Sequence, residues 1–170
     1  AAFRRFIDRL EQAPVTVINR PEILRWNMDK VYLKDLADAG LPVIESEFFD
    51  PAESVDLAGL MDRHGWGDVV VKPRIGAGGY RMFRCQSGGV EQNQSEVQSL
   101  CSEHGVVIQP FQPRIHEDGE WSFVILGGTI QYVVHKQPAA DEFRAHEKRG
   151  ARYERVEPSD ALTVHVRDLI

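Results

Sequence analysis

Residues 69–80 read VVVKPRIGAGGY, which puts Lys72 at the end of an apolar run and glycines at 76, 78 and 79 just after it. A cation at a strand end beside exposed backbone N–H groups suits a polyphosphate. The amides donate to its oxygens while the ammonium neutralises charge. Glycine lets the backbone approach with no Cβ in the way. Taken alone, the stretch reads equally well as a glycine hairpin turn beside a surface lysine. Two better-known phosphate loops are excluded. A Walker A loop ends in Gly-Lys-Ser/Thr, whereas here the lysine precedes the glycines. Protein kinases also place the glycine loop first, and the chain has no HRD or DFG. The dinucleotide pattern GxGxxG fails as well, because Arg81 stands at its last position.

Other chemistries find little support. The six histidines (64, 104, 116, 135, 146 and 165) are scattered without metal spacing, and no Ser-His-Asp or Cys-His arrangement stands out. Cys85 and Cys101 lack a CxxC pattern and read as two free thiols of a reducing cytoplasm. With 26 acidic against 20 basic side chains the formal charge is -6, the wrong sign for a phosphate-backbone binder, so nucleic acid is excluded as the main partner. No apolar run reaches a membrane-spanning length. Arg4, Arg5, Asp8 and Arg9 rule out a signal peptide at the start, so a soluble cytoplasmic protein is expected.

The elements that must position Lys72 follow from periodicity. Phe3, Phe6, Ile7 and Leu10 repeat at helical spacing from the first residues. Val15 to Ile18 is a short β-type run, and 22–26 suits one helical turn. Asp29 is placed to cap a helix running to Gly40. Residues 43–49 suit a strand and 54–64 a helix closed by Gly65. Residues 68–72 and 80–84 suit two strands around the glycine loop. A polar helix follows over 91–104, with Val97 and Leu100 inward, and then the buried strand VVIQPF over 106–111. Residues 121–126 and 129–135 form a second hairpin across Gly127-Gly128, and 137–150 is a charged loop. Residues 153–156 suit a short strand. Pro158-Ser159 opens a last helix with Leu162, His165, Val166 and Leu169 inward, still running at Ile170. Mixed order with antiparallel hairpins makes the class α+β.

Three further features stand in order around the loop. Upstream is NRPEILRWNMDKVYLKDLADAGLP (19–42), with Lys30 opening a helix. Downstream, IQPF (108–111) follows a buried strand, and GEWSFVILGG (119–128) starts the next strand with Glu120. Together these resemble the ATP-grasp superfamily, and within it the ligases related to glutathione synthetase, D-alanine–D-alanine ligase and the RimK-type enzymes. DEFRAH (141–146) is similar to the Asp-Phe-Arg loop of the RimK and glutathione-synthetase branch, with Asp-Glu where that pattern often has Gly-Asp.

The resemblance implies an α+β ATP-grasp fold of two small subdomains sandwiching the nucleotide, the second incomplete. It places the tail of a preceding domain or a linker at 1–18, the lid-bearing subdomain at 19–108 and a partial C-terminal subdomain at 109–170. It assigns Lys30 and Lys72 to the phosphates and Gly76, Gly78 and Gly79 to the loop that closes over them. Gln109, Pro110 and Phe111 would meet adenine, largely through backbone groups, with Phe111 or Ile108 in apolar contact. Glu120 would accept from the ribose hydroxyls. Lys136 and Arg144 would face the γ-phosphate or an acyl phosphate, although Arg144 also sits in a charged surface loop.

The activity so implied is ATP-dependent ligation of a small-molecule carboxylate to an amine or thiol, with Mg2+ bridging the phosphates. The magnesium ligands are expected beyond Ile170; were a metal site to lie within the chain, Glu117, Asp118, Asp141 and Glu142 are the foremost candidates. A small-molecule kinase on the same fold and a non-catalytic ATP-binding module remain open. The amphipathic helices at both ends suggest a piece of a longer protein that is inactive alone and whose uncovered apolar stripe favours a homo-oligomer.

Overall fold

The computed structural model describes residues 2–170, so Ala1, where the first helix was expected to begin, lies outside the described residues. The chain divides into two compact units, one ending at Phe111 and one spanning Gln112–Ile170. The division thus falls after the IQPF segment, three residues beyond the 108/109 boundary read from the sequence.

The first unit holds α1 (Ala2–Gln12), α2 (Pro21–Met28), α3 (Tyr32–Asp38), β1 (Glu47–Phe49), α4 (Leu57–His64), β2 (Asp68–Pro73), β3 (Phe83–Gln86), α5 (Val90–His104) and β4 (Val106–Pro110). Its sheet is antiparallel in the order β1-β4-β2-β3. Strict alternation explains β2: Val69, Val71 and Pro73 are buried, while Asp68, Val70 and Lys72 stand on the other face. Val97, Leu100 and Cys101 follow at helical spacing on α5, and Leu57, Leu60 and Met61 do so on α4. These meet Val69, Val71, Cys85, Val106 and Ile108 in one core. Helix α4 is closed at both ends. The Asp56 side chain accepts from the Gly59 N–H, and Gly65 adopts the left-handed conformation that a Cβ disfavours.

The second unit holds α6 (Arg114–Glu117), β5 (Glu120–Leu126), β6 (Thr129–Gln137), β7 (Arg152–Val156) and α7 (Asp160–Arg167). Its antiparallel sheet runs β5-β6-β7, with the β5–β6 turn at Gly127 and Gly128, both at positive φ. The Ser159 hydroxyl caps α7 by accepting from the Leu162 N–H.

Several expectations are corrected. Val15–Ile18 forms no strand, and of residues 43–49 only the last three pair with another strand. Asp29 does not cap α3, which begins at Tyr32; its backbone instead bridges to Ile75. The strand after the glycine loop begins at Phe83, because turns close from Tyr80 N to Ala77 O and from Met82 N to Gly79 O. The last helix ends at Arg167, and of its expected inward residues His165 and Leu169 are exposed.

Candidate functional site

In the first unit the sheet register sets the site. Lys72 lies opposite Val107 and Gln109 opposite Val70, so the two are diagonal neighbours on the face away from the core. Gln109 is the buried polar side chain of this sheet, 6% exposed. Its Oε1 accepts from Lys72 Nζ at 2.5 Å, and its Nε2 donates to Ser46 Oγ at 2.6 Å. The Gln109 carboxamide is therefore turned towards Lys72 and Ser46. Burial, and after it the charge of Lys30, pulls the Lys72 ammonium down to about 8.

Lys30 is not a solvated helix lysine. Its Nζ donates to the carbonyls of Pro73, Arg74 and Gly76 at 3.1, 3.2 and 2.9 Å, so backbone oxygens at the base of the glycine loop surround it. Lys30 N–H also donates to Arg74 O at 3.1 Å. Burial lowers the Lys30 pKa, with the nearby Asp29 charge working the other way. Neither Lys30 nor Lys72 forms an ion pair with a carboxylate among the described residues; their recorded acceptors are carbonyl and amide oxygens. Two half-buried ammonium groups with no carboxylate in ion-pair contact attract an anion, because little water screens them.

Arg74 ties this region together, and the sequence reading missed it. Its Nε and Nη2 donate to the two Asp29 carboxylate oxygens at 3.1 and 2.7 Å, and its Nη1 to Asp50. Its backbone N–H donates to Gly105 O. Burial raises the Asp29 pKa, but the Arg74 guanidinium and the Val31 N–H more than offset this and leave the carboxyl below its ordinary range. The available signal was adjacency: Asp29 precedes Lys30, and Arg74 follows Lys72-Pro73. In the glycine loop, Gly78 and Gly79 take positive φ, which explains glycine there. Gly76 does not; a Cβ on it would crowd Pro73 Cγ at 3.1 Å.

The residues expected to meet adenine divide. Ile108 is fully buried in the core, which removes it from base contact. Pro110 pairs with Val69. Phe111 N–H donates to Asp68 O at 2.9 Å, and its ring lies under the Arg84 guanidinium at 3.8 Å.

In the second unit, Glu120 and Lys136 are direct partners in the β5–β6 register and form an ion pair, with Ser122 Oγ also donating to Glu120. The sequence reading gave them separate ligands; the register joins them. Arg144 is held by Glu142, whose Oε1 accepts from the Phe143 and Arg144 N–H groups and from Arg144 Nε. Its Oε2 accepts from Arg144 Nη2 at 2.6 Å and from Arg149. The Arg144 side chain and, after it, the local N–H donors hold the Glu142 carboxyl at about 2. Asp118 is likewise engaged, by Arg114. Among the described residues no three His, Cys, Asp or Glu side chains converge to hold a metal ion. No helix among them is long and apolar enough to cross a membrane.

Residues 52–165 match the family model of the prokaryotic glutathione synthetase ATP-grasp domain. The cycloserine biosynthesis protein DcsG of Streptomyces lavendulae is 29% identical over 141 residues, covering 80% of this chain and 46% of that protein. The glutathione synthetase of Pseudomonas syringae pv. tomato is 27% identical over 151 residues, 87% of this chain and 44% of that protein. The chain thus spans less than half the length of these curated relatives. Among solved structures, D-cycloserine synthetase DcsG superposes with a TM-score of 0.80 at 22% identity, over 98% of this chain and 57% of that one. A RimK domain ATP-grasp protein from Sphaerobacter thermophilus gives 0.69 at 20% identity, over 98% and 58%. A lysine-and-glycine loop on an antiparallel α+β sheet, the shared fold and the family match over most of the chain lead to one assignment: the chain belongs to the ATP-grasp domain family of prokaryotic glutathione synthetases.

Proposed function

We propose that the chain is the ATP-binding part of a ligase that joins a carboxylate to an amine or thiol through an acyl phosphate. The observation that carries this reading is the pair Lys30 and Lys72, two half-buried cations without a carboxylate partner, beside the glycine loop of an ATP-grasp domain. A triphosphate supplies the missing negative charge. Lys72 and the amides of Gly76, Gly78 and Gly79 bind the phosphates, and Lys30 holds the base of that loop within reach of them. The backbone of Gln109, Pro110 and Phe111 meets adenine, and Glu120 accepts from the ribose hydroxyls. Arg144 and Lys136 stabilise negative charge on the transferring phosphoryl group once the anion displaces their present carboxylate partners.

The protein supplies no nucleophile in this reading. A substrate carboxylate oxygen attacks the γ-phosphorus and the bond to ADP breaks, giving an acyl phosphate. The amine nitrogen or thiol sulfur then attacks the acyl carbon, inorganic phosphate leaves, and the nucleophile loses its proton. Positioning and fixed positive charge are the protein's contribution. The test is hydroxylamine trapping of the acyl group during ATP turnover. A hydroxamate that forms only with ATP and a carboxylate substrate supports the ligase. A stable phosphorylated product would instead establish a small-molecule kinase, and binding without turnover a non-catalytic module.

A further inference from the structure

Ser46 belongs to no motif of the sequence, yet it completes a directional relay that reaches Lys72. An ammonium group can only donate, so the Gln109 carboxamide must turn its oxygen to Lys72 and its NH2 group outward. Ser46 Oγ accepts from that NH2 at 2.6 Å and passes its own hydrogen to the Ile44 carbonyl at 2.7 Å. Each link of the relay pairs a donor with an acceptor, and the flipped amide would set its NH2 group against the ammonium. Ser46 reaches this position because β1 begins at the next residue and pairs Glu47 with Ile108, beside Gln109.

The chemistry of position 109 matters as much as its geometry. A carboxylate of the same shape could occupy the same space, accept from Lys72 and accept from Ser46. It would also cancel the ammonium charge. The carboxamide aims Lys72 equally well and cancels nothing. We propose that Gln109 and Ser46 are a positioning pair for nucleotide binding: Gln109 aims Lys72 without neutralising it, and Ser46 locks the amide in the one orientation that does so. The inference rests on the reading of Lys72 as a phosphate ligand. It explains why Lys72 has an uncharged partner while Arg74, Arg84, Lys136 and Arg144 all have carboxylates.

Burial and the neighbouring Lys30 charge put the Lys72 pKa at about 8, with the neutral Gln109 and Ser46 as the other polar groups in the relay. Binding of a phosphate anion therefore weakens as pH rises through that value. A carboxylate at 109 raises the Lys72 pKa and moves this alkaline loss upward. The experiment titrates ATP, and separately inorganic tripolyphosphate, into the full chain by calorimetry from about pH 7 to about pH 9.5. Wild type is compared with Gln109→Glu, Ser46→Ala and Lys72→Met. Gln109→Glu is expected to weaken both ligands about tenfold or more at neutral pH and to shift the alkaline loss upward. Ser46→Ala adds no buried charge, so it keeps the test open if Gln109→Glu does not fold; a loss of about threefold is expected, with the pH profile in place. Unchanged affinity and profile in Gln109→Glu, or unchanged affinity in Ser46→Ala where Gln109→Glu is unfolded, overturns the positioning pair while a weakened Lys72→Met preserves the phosphate reading. Wild-type affinity in Lys72→Met overturns both.

Discussion

Lys30 Nζ lies 2.9 Å from the carbonyl oxygen of Gly76, the first glycine of the loop, 46 residues further along the chain. With the Pro73 and Arg74 carbonyls this makes three acceptors, as many as an ammonium group has hydrogens. Lys30→Ala should therefore loosen the base of the loop. We expect amide exchange at residues 74–80 to speed up about tenfold or more, with a stability loss of about 1–2 kcal/mol in urea. Lys30→Arg should recover part of it. Exchange at wild-type rates in Lys30→Ala would show that the lysine is no strut.

Lys72 sets stability against binding. Its folded pKa, about 8, lies below the ordinary 10.5, so between these values the unfolded chain binds more protons and this group makes the fold more stable as pH rises. Below about pH 8 the charged form weighs against the fold. Lys72→Met should raise the melting temperature at pH 7 without nucleotide and remove ATP-dependent stabilisation. A lower melting temperature for the variant would contradict the burial cost.

Gly105 is confined from three sides. Its φ is +62°, and a Cβ would lie 2.7 Å from Phe49 O, 3.0 Å from Arg74 Cδ and 3.2 Å from Pro51 Cδ. Gly105→Ala should cost about 2–3 kcal/mol and disturb the Arg74 contacts as well. A chemical denaturation curve matching wild type would refute this.

Glu142 titrates in the opposite sense to Lys72. Its folded pKa of about 2 lies below the ordinary 4.5, so its contribution is fully present above about pH 4.5 and is lost as pH falls towards about 2. Wild type and Glu142→Gln should differ in stability at pH 7 and converge as the acid limit is approached. A difference independent of pH would mean that Arg144 does not hold an ionised carboxylate.

Glu120→Ala should weaken ATP while leaving inorganic tripolyphosphate nearly unaffected, since the ribose hydroxyls are its proposed partners. Equal losses for both ligands would point instead to its ion pair with Lys136.

Local pattern made much of the architecture readable. The strand over residues 68–72, the helical spacing of Val97 and Leu100, and the turns at Gly65 and Gly127–Gly128 all appear where the sequence puts them. Each depends on residues within a few positions of one another. Val15–Ile18 failed for the opposite reason, because β-type residues make a strand only where another strand offers a ladder. Ile108 misled in the same way: IQPF reads as one functional segment, but strand alternation sends Ile108 into the core and Gln109 to the far face.

From the sequence alone came the order of chemistry along the chain: a lysine before a glycine loop, a second lysine upstream, and two basic residues downstream. What each cation faces was decided by tertiary structure. Lys72 meets Gln109 across 37 residues, Lys30 meets Gly76 across 46, and Lys136 meets Glu120 across 16. Charge type is a property of the residue and can be read in place. The partner that compensates a charge, or leaves it for a ligand, depends on strand register and burial, which arise only when distant segments pack together.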